Sequence, residues 1–261
     1  MKPFLQLLIS AILLSVLPTA LAQSADDNDS ESVRSTGSRS VEGPSNDLKR
    51  VAELIVEATN DFREENDLKP VKTDAELQNA ARYFARYMAK HDEYGHKADG
   101  NRPSDRAEEH GYDYCIVLEN IAYQYSSEGF RDKELARKFE RRWEQSPGHR
   151  KNMLDPDVTE TGVAVRQSEE SGHFYAVQMF GRPKSAQIHF EIKNSSSEEV
   201  AYELKGKELP LPPRYTRTHY RCRPTELTIQ LAKDQTESFT PNSGDKIRVV
   251  QRDGELIVER N

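Results

Sequence analysis

Apolar side chains recur with helical spacing in the first part of the chain and with alternating spacing in the last. Leu48, Val51, Ala52, Ile55, Ala58 and Phe62 fall on one face of a helix that begins after the turn residues Pro44, Ser45 and Asn46. A second stripe, Leu77, Ala80, Ala81, Phe84, Tyr87 and Met88, follows Thr73 and Glu76 in capping-box spacing and predicts a helix to about His91. Pro103 to His110, closed by Gly111, suits a short third helix, because proline fits a first turn and glycine a left-handed stop. Leu135, Ala136, Phe139 and Trp143 place a fourth between about Arg131 and Gln145. The β-branched and aromatic runs Gly162–Val165 and His173–Phe180 then read as strands. Helices before strands, without βαβ alternation, predict an antiparallel sheet covered by helices.

Beyond Gly181-Arg182-Pro183 the helical signal stops. Ile188, Phe190 and Ile192, then Val200, Tyr202 and Leu204, then Leu227, Ile229 and Leu231 alternate with polar residues, as half-buried strands do. Asp253-Gly254, between Ile247–Val250 and Leu256–Val258, is a strong hairpin signal. A small all-β domain is expected over residues 185–261, with Leu209-Pro210-Leu211-Pro212-Pro213 as a stiff internal connector.

The N-terminal end carries no core. Residues 1–22 combine Lys2, an apolar run from Phe4 to Leu17 and the small residues of Ala20-Leu21-Ala22, the pattern of a cleavable secretory signal that leaves Gln23 first. Residues 23–46 are acidic and serine-rich with little to bury, so they read as a disordered linker. The remaining roughly 215 residues suffice for one ordinary domain, expected at 47–183, and the smaller β domain. The run of Phe4 to Leu17 is short for a span, and no later segment is apolar enough for one, so no membrane span is expected in the mature chain. The formal charge of −7, with basic residues interleaved among acids, excludes a nucleic-acid footprint as the main feature.

Cys115 and Cys222 are the only cysteines. In an exported chain an intramolecular bridge is the economical reading, with two buried free thiols as the alternative; no Cys-x-x-Cys spacing supports metal or redox chemistry.

Three side chains stand out chemically. A neutral imidazole is a base or metal ligand near physiological pH, and a carboxylate beside it can orient or share its proton. His96, Glu119 and His149 are therefore the catalytic candidates and equally a candidate metal set, for a divalent cation such as zinc. No His-Glu-x-x-His helix, Gly-x-Ser-x-Gly elbow, P-loop or Rossmann glycine pattern occurs. His91, His110, His173, His189 and His219 have no such partners and read as surface or structural.

Tyr94-Gly95-His96 with Arg102-Pro103 and Arg106, then Leu118-Glu119-Asn120-Ile121-Ala122, Trp143 through Arg150 with Ser146-Pro147-Gly148-His149, Gly162–Val165 and Tyr175–Gly181 together resemble the CAP superfamily (cysteine-rich secretory, antigen 5 and pathogenesis-related 1 proteins) in its bacterial, SCP-like extracellular form. The resemblance covers about Leu48 to Gly181. It implies an α-β-α sandwich, an antiparallel sheet between helical layers with a cleft on one side. The family's cleft carries two histidines and two acids. By resemblance His96 and Glu119 supply one of each, while Ser146 stands where the second acid belongs and Tyr175 where the second histidine does. His173, on the same strand face as Tyr175, and His149 are the imidazoles that could enter the same space.

Three functions follow as expectations. The first is a secreted, non-enzymatic module binding an extracellular lipid, polymer or protein in a His/Glu-lined cleft. The alternative is a metal-assisted hydrolase or peptidase using the same cleft, with His96 and His149 as ligands and Glu119 as base. A third is a surface-associated module tethered by its linker.

Overall fold

The computed structural model describes residues 47–261; the expected signal and linker lie outside the described residues. The chain runs α1 (Leu48–Glu64), β1 (Lys72–Thr73), α2 (Ala75–His91), α3 (Pro103–Glu109), β2 (Tyr114–Gln124), α4 (Asp132–Glu144), α5 (Pro147–Met153), β3 (Glu160–Gln167) and β4 (Phe174–Pro183). It continues as β5 (Ile188–Asn194), β6 (Val200–Leu204), β7 (Lys207–Leu211), β8 (Thr216–Arg221), β9 (Leu227–Ala232), β10 (Gln235–Phe239), β11 (Lys246–Arg252) and β12 (Glu255–Arg260).

The first sheet has the order β1-β3-β4-β2; β3, β4 and β2 are antiparallel, and the two-residue β1 adds a parallel edge to β3. Side-chain alternation divides two cores across it. Phe174, Ala176 and Phe180 of β4 meet α1 and α4 through Val51, Ile55, Phe139 and Trp143. Tyr175, Val177 and Met179 meet α2 through Leu77, Phe84 and Met88. This is the expected helix-sheet-helix sandwich. At Gly162 a Cβ would lie 2.3 Å from the backbone of Leu77 and Gln78, so α2 rests directly on β3 where no side chain intervenes.

Several local expectations change. The cap of α2 is Asp74, whose carboxylate accepts from the backbone N–H groups of Glu76 and Leu77 at 3.0 and 2.9 Å; Thr73 is instead held in β1, opposite Thr161. Pro147-Gly148, a pair that commonly marks a turn, instead begins a helix: Pro147 opens α5, its missing N–H costing nothing in a first turn. Residues 114–124, to which the apolar pattern assigns no element, form an eleven-residue strand around Glu119.

The C-terminal part is a β-sandwich. Sheets β10-β9-β6-β7 and β12-β11-β5-β8 enclose a core of Phe190, Ile192, Tyr202, Leu227, Ile229 and Val249. Asp253 and Gly254 both take positive φ, 51° and 89°, as the β11–β12 hairpin requires. Leu209-Pro210-Leu211 is a strand rather than a connector: β7 lies at a sheet edge, where the absent N–H of Pro210 breaks no ladder.

Cys115 of β2 and Cys222, just after β8, form a disulfide with Cα atoms 5.2 Å apart. The next residue, Arg223, forks across two carboxylates of the first part, reaching Asp155 at 2.8 and 2.9 Å and Asp157 at 2.7 Å. Burial disfavours the Asp155 carboxylate, but the hydrogen bonds from Arg223 and from the Asp157 N–H outweigh it and hold the group below the usual range. Among the described residues no helix is long and apolar enough to cross a membrane.

Candidate functional site

The site is built where β2 passes between α3, α5 and the loop after α2. Along β2, Ile121 joins the α2 core and Ala122 the α1–α4 core. Glu119 has the parity of Ile121, so it faces α3, while Asn120 faces α5. Gly95, in a bend, leads into His96, whose Nδ1 lies 2.8 Å from Oε1 of Glu119.

Glu119 is not free. Arg106 of α3, fully buried, donates from Nη2 to Oε2 of Glu119 at 2.6 Å and to the His96 carbonyl at 3.1 Å; its Nη1 donates to Asp99 Oδ1 at 2.8 Å and to the Asn101 carbonyl at 3.0 Å. The guanidinium lies 3.5 Å from the centre of the Phe84 ring. A buried cation thus holds two carboxylates, and one of these holds the imidazole. The His96 side chain is 47 % exposed while that of Glu119 is 1 % exposed. The Nδ1 edge of His96 is thus turned to Glu119 and the Nε2 edge to the cleft.

His149 sits in the first turn of α5, its ring centre 6.3 Å from that of His96. Its Nδ1 is buried with no hydrogen-bond partner among the described residues. Burial, and then the positive potential of His96 and Arg142, pushes its pKa down and keeps the ring neutral. The three residues expected in one cleft are therefore neighbours along His149, His96 and Glu119.

The fit to a divalent ion depends on the donor set. Among the described residues no three His, Cys, Asp or Glu side chains are grouped to hold a metal. Glu119, 1 % exposed and bonded through both oxygens, offers no open edge to an ion in the cleft, and the guanidinium opposes a second cation beside it. The expected three-ligand centre is not assembled among the described residues.

Tyr175, in the place of a second histidine, is committed elsewhere. Its hydroxyl donates to Asp92 Oδ1 at 3.1 Å, and burial together with that carboxylate raises its pKa to about 12. Asp92, left-handed at the end of α2, also accepts from Ser168 and Ser171 at 2.8 and 2.5 Å. His173 Nδ1 lies 2.8 Å from Ser171 Oγ, and its ring sits between Tyr123 and Tyr125, at 5.5 and 5.2 Å. The Ser171 proton goes to Asp92, so His173 donates to Ser171 and does not activate it; this is not a nucleophilic triad.

Asn120 connects the cleft to the interior. Its amide donates to the His149 carbonyl at 3.2 Å and to Gln178 at 3.3 Å, and Asn152 donates to its oxygen at 3.0 Å. Gln178 donates to Thr59 at 2.8 Å, and Thr59 donates to Glu140 at 2.6 Å. Burial lifts the Glu140 pKa to about 8, despite the Thr59 hydrogen bond, so its other oxygen carries a proton at neutral pH.

Residues 56–180 match the model of the cysteine-rich secretory protein family, CAP. The chain carries a CAP domain. Its relatives include the uncharacterized protein YkwD of Bacillus subtilis, 30 % identical over 129 residues, which are 49 % of this chain and 46 % of that protein. The chain thus spans about half the length of that curated relative. An outer surface protein of Borrelia burgdorferi is 18 % identical, with a TM-score of 0.47 over 54 % of this chain and 99 % of its own. An extracellular SCP-domain protein of Bacillus anthracis is 24 % identical, with a TM-score of 0.44 over 54 % of this chain and 45 % of its own. Within this CAP domain the residues that sequence reasoning left without a role are Arg106 and Asp99. The signal for Arg106 was present, since it belongs to the Arg102-Pro103 segment, but its partner lies 13 positions on, across a change from helix to strand.

Proposed function

We propose that this protein is an exported CAP module that binds an extracellular ligand in the cleft of His96 and His149 without turning it over. The observation that carries this reading is the commitment of both Glu119 oxygens, one to His96 and one to buried Arg106. A general base needs a lone pair that the substrate proton can reach, and Glu119, 1 % exposed and anchored through both oxygens, presents none to the cleft. Ser146 and Tyr175 supply neither the second acid nor the second histidine, and Tyr175 is tied to Asp92. What is left facing outward is the imidazole edge of His96 beside the ring of His149, which suits recognition.

Export is supported by the composition of residues 1–22 and by the disulfide, which persists in an oxidising compartment. The test is a turnover assay of the purified protein on peptide and glycan libraries, read by mass spectrometry with and without chelator. No chelator-sensitive product is expected; turnover that disappears in His96→Ala would overturn the reading in favour of the hydrolase.

A further inference from the structure

Beside the histidine cleft lies a groove of about 510 Å3 between α4 and the end of β2. Its walls combine three kinds of side chain. Lys138, Arg141 and Arg142 line it from α4. Gln124, Gln145 and Ser146 add neutral hydrogen-bonding groups, and Tyr94 and His149 close the end that adjoins His96. Tyr94 is 44 % exposed, and its ring meets the edge of Tyr123, which is itself covered by the Arg142 guanidinium at 5.5 Å. Tyr125, 57 % exposed, continues the aromatic surface past His173.

The charge of this face runs against that of the molecule. The chain is formally −7, yet Arg131, Lys133, Arg137, Lys138, Arg141 and Arg142 are all exposed on or beside α4. Against these six cations α4 carries four carboxylates, Asp132, Glu134, Glu140 and Glu144; Lys138 pairs with Glu134 at 4.0 Å, and Glu140 is buried, its pKa lifted to about 8. An excess of cations lining a groove draws anions to it, and a guanidinium can bind a carboxylate or phosphate through two parallel hydrogen bonds.

We infer that this groove binds an acidic saccharide chain. The assignment rests on the binding-module reading above and names its ligand class. Each part of a sugar acid has a counterpart: the C–H face of a ring packs on the exposed tyrosines, its hydroxyls meet Gln124, Gln145 and Ser146, and its acid groups meet Arg141, Arg142 and Lys138. Successive turns of α4 are about 5.4 Å apart, which brings a repeating charge along the helix into step with a repeating chain. A nucleic acid would use the same cations, but it would find neither a continuous basic block nor need of the neutral amides.

The test titrates the full chain with a tetramer of galacturonic acid, an uncharged glucose tetramer and an oligomer of deoxythymidine, by calorimetry at low and raised salt. Expected are binding of the acidic tetramer at least about tenfold tighter than of either control, weakening with salt, and a similar loss in Arg141→Gln/Arg142→Gln but not in Lys246→Gln/Arg248→Gln on the sandwich. Far-ultraviolet circular dichroism and melting confirm that both variants fold. Equal binding of the uncharged tetramer, tighter binding of the thymidine oligomer, indifference to the α4 substitutions, or no binding by the folded chain would each overturn the groove assignment and leave the module reading to its own assay. Recovery of the tetramer in cleaved form would instead overturn the module reading while keeping the groove.

Discussion

Nη2 of Arg106 lies 2.6 Å from Oε2 of Glu119, and both side chains are sealed from solvent. The pair is the keystone of the cleft, because the same carboxylate orients His96 and the same guanidinium holds the His96 carbonyl. Removing one partner of a buried pair leaves an uncompensated charge, which costs more than the pair contributes. Arg106→Met is expected to lose about 3–5 kcal/mol in urea unfolding. Glu119→Gln/Arg106→Met should recover part of that loss, and additive single effects would show that the two residues act independently.

Glu140 sets a pH dependence opposite to that of an ordinary carboxylate. Its pKa is about 8 in the folded state against 4.5 unexposed to such burial, so the folded state binds the extra proton. The contribution is fully present below about pH 4.5, declines through the interval at up to roughly 1.4 kcal/mol per pH unit, and is lost above about pH 8. Melting temperatures of the wild type should fall across that window. Glu140→Gln should flatten the curve, and an unchanged slope would place the effect elsewhere.

The bridge between Cys115 and Cys222 closes a loop with a sequence separation of 107. In the chain-entropy model a loop of that length stabilises by about 4.7 kcal/mol before any native strain. Cys115→Ser/Cys222→Ser is expected to lower the unfolding midpoint by several degrees in calorimetry. Equal midpoints for oxidised and reduced wild type would show that the loop entropy is recovered by other contacts.

Asp155 and Arg223 form the ionic half of the same junction. Because the Asp155 pKa is depressed, its contribution is present above the unfolded value and lost as pH falls through the folded one. Arg223→Ala should therefore destabilise at neutral pH and converge on the wild type in acid. Parallel acid-unfolding curves would exclude this pair as the source.

His149 has a pKa lowered mainly by burial, so the unfolded chain takes up the proton first. Its contribution to stability falls as pH drops below about 6.5. Proton-detected titration of the ring is expected to place the His149 midpoint below the ordinary histidine value. A midpoint above the usual histidine range would mean that an anionic partner reaches the unpaired Nδ1.

The amphipathic helices α1, α2 and α4 and the Asp253-Gly254 hairpin were legible because one exposed face, or one turn, decides each of them. β2 was not, because both of its faces are covered and Glu119 and Asn120 interrupt the apolar run with polar groups whose partners come from α3 and α5. α5 hid behind Pro147-Gly148, a pair that signals a turn unless the preceding helix positions it as a first turn. Of the site, the residue types at 96, 119 and 149 were readable. The guanidinium that occupies Glu119 was not, since a pairing between a short helix and a strand has no period to betray it.

The disulfide enters the first sheet at residue 115, four positions from Glu119 on the same strand. A pull on the C-terminal sandwich, from a surface or a bound partner, is thus delivered by a covalent rod to the strand that carries the cleft carboxylate. The weakest fastenings along that line of force are hydrogen bonds, so tension would be felt at the imidazole of His96 before any covalent link yields.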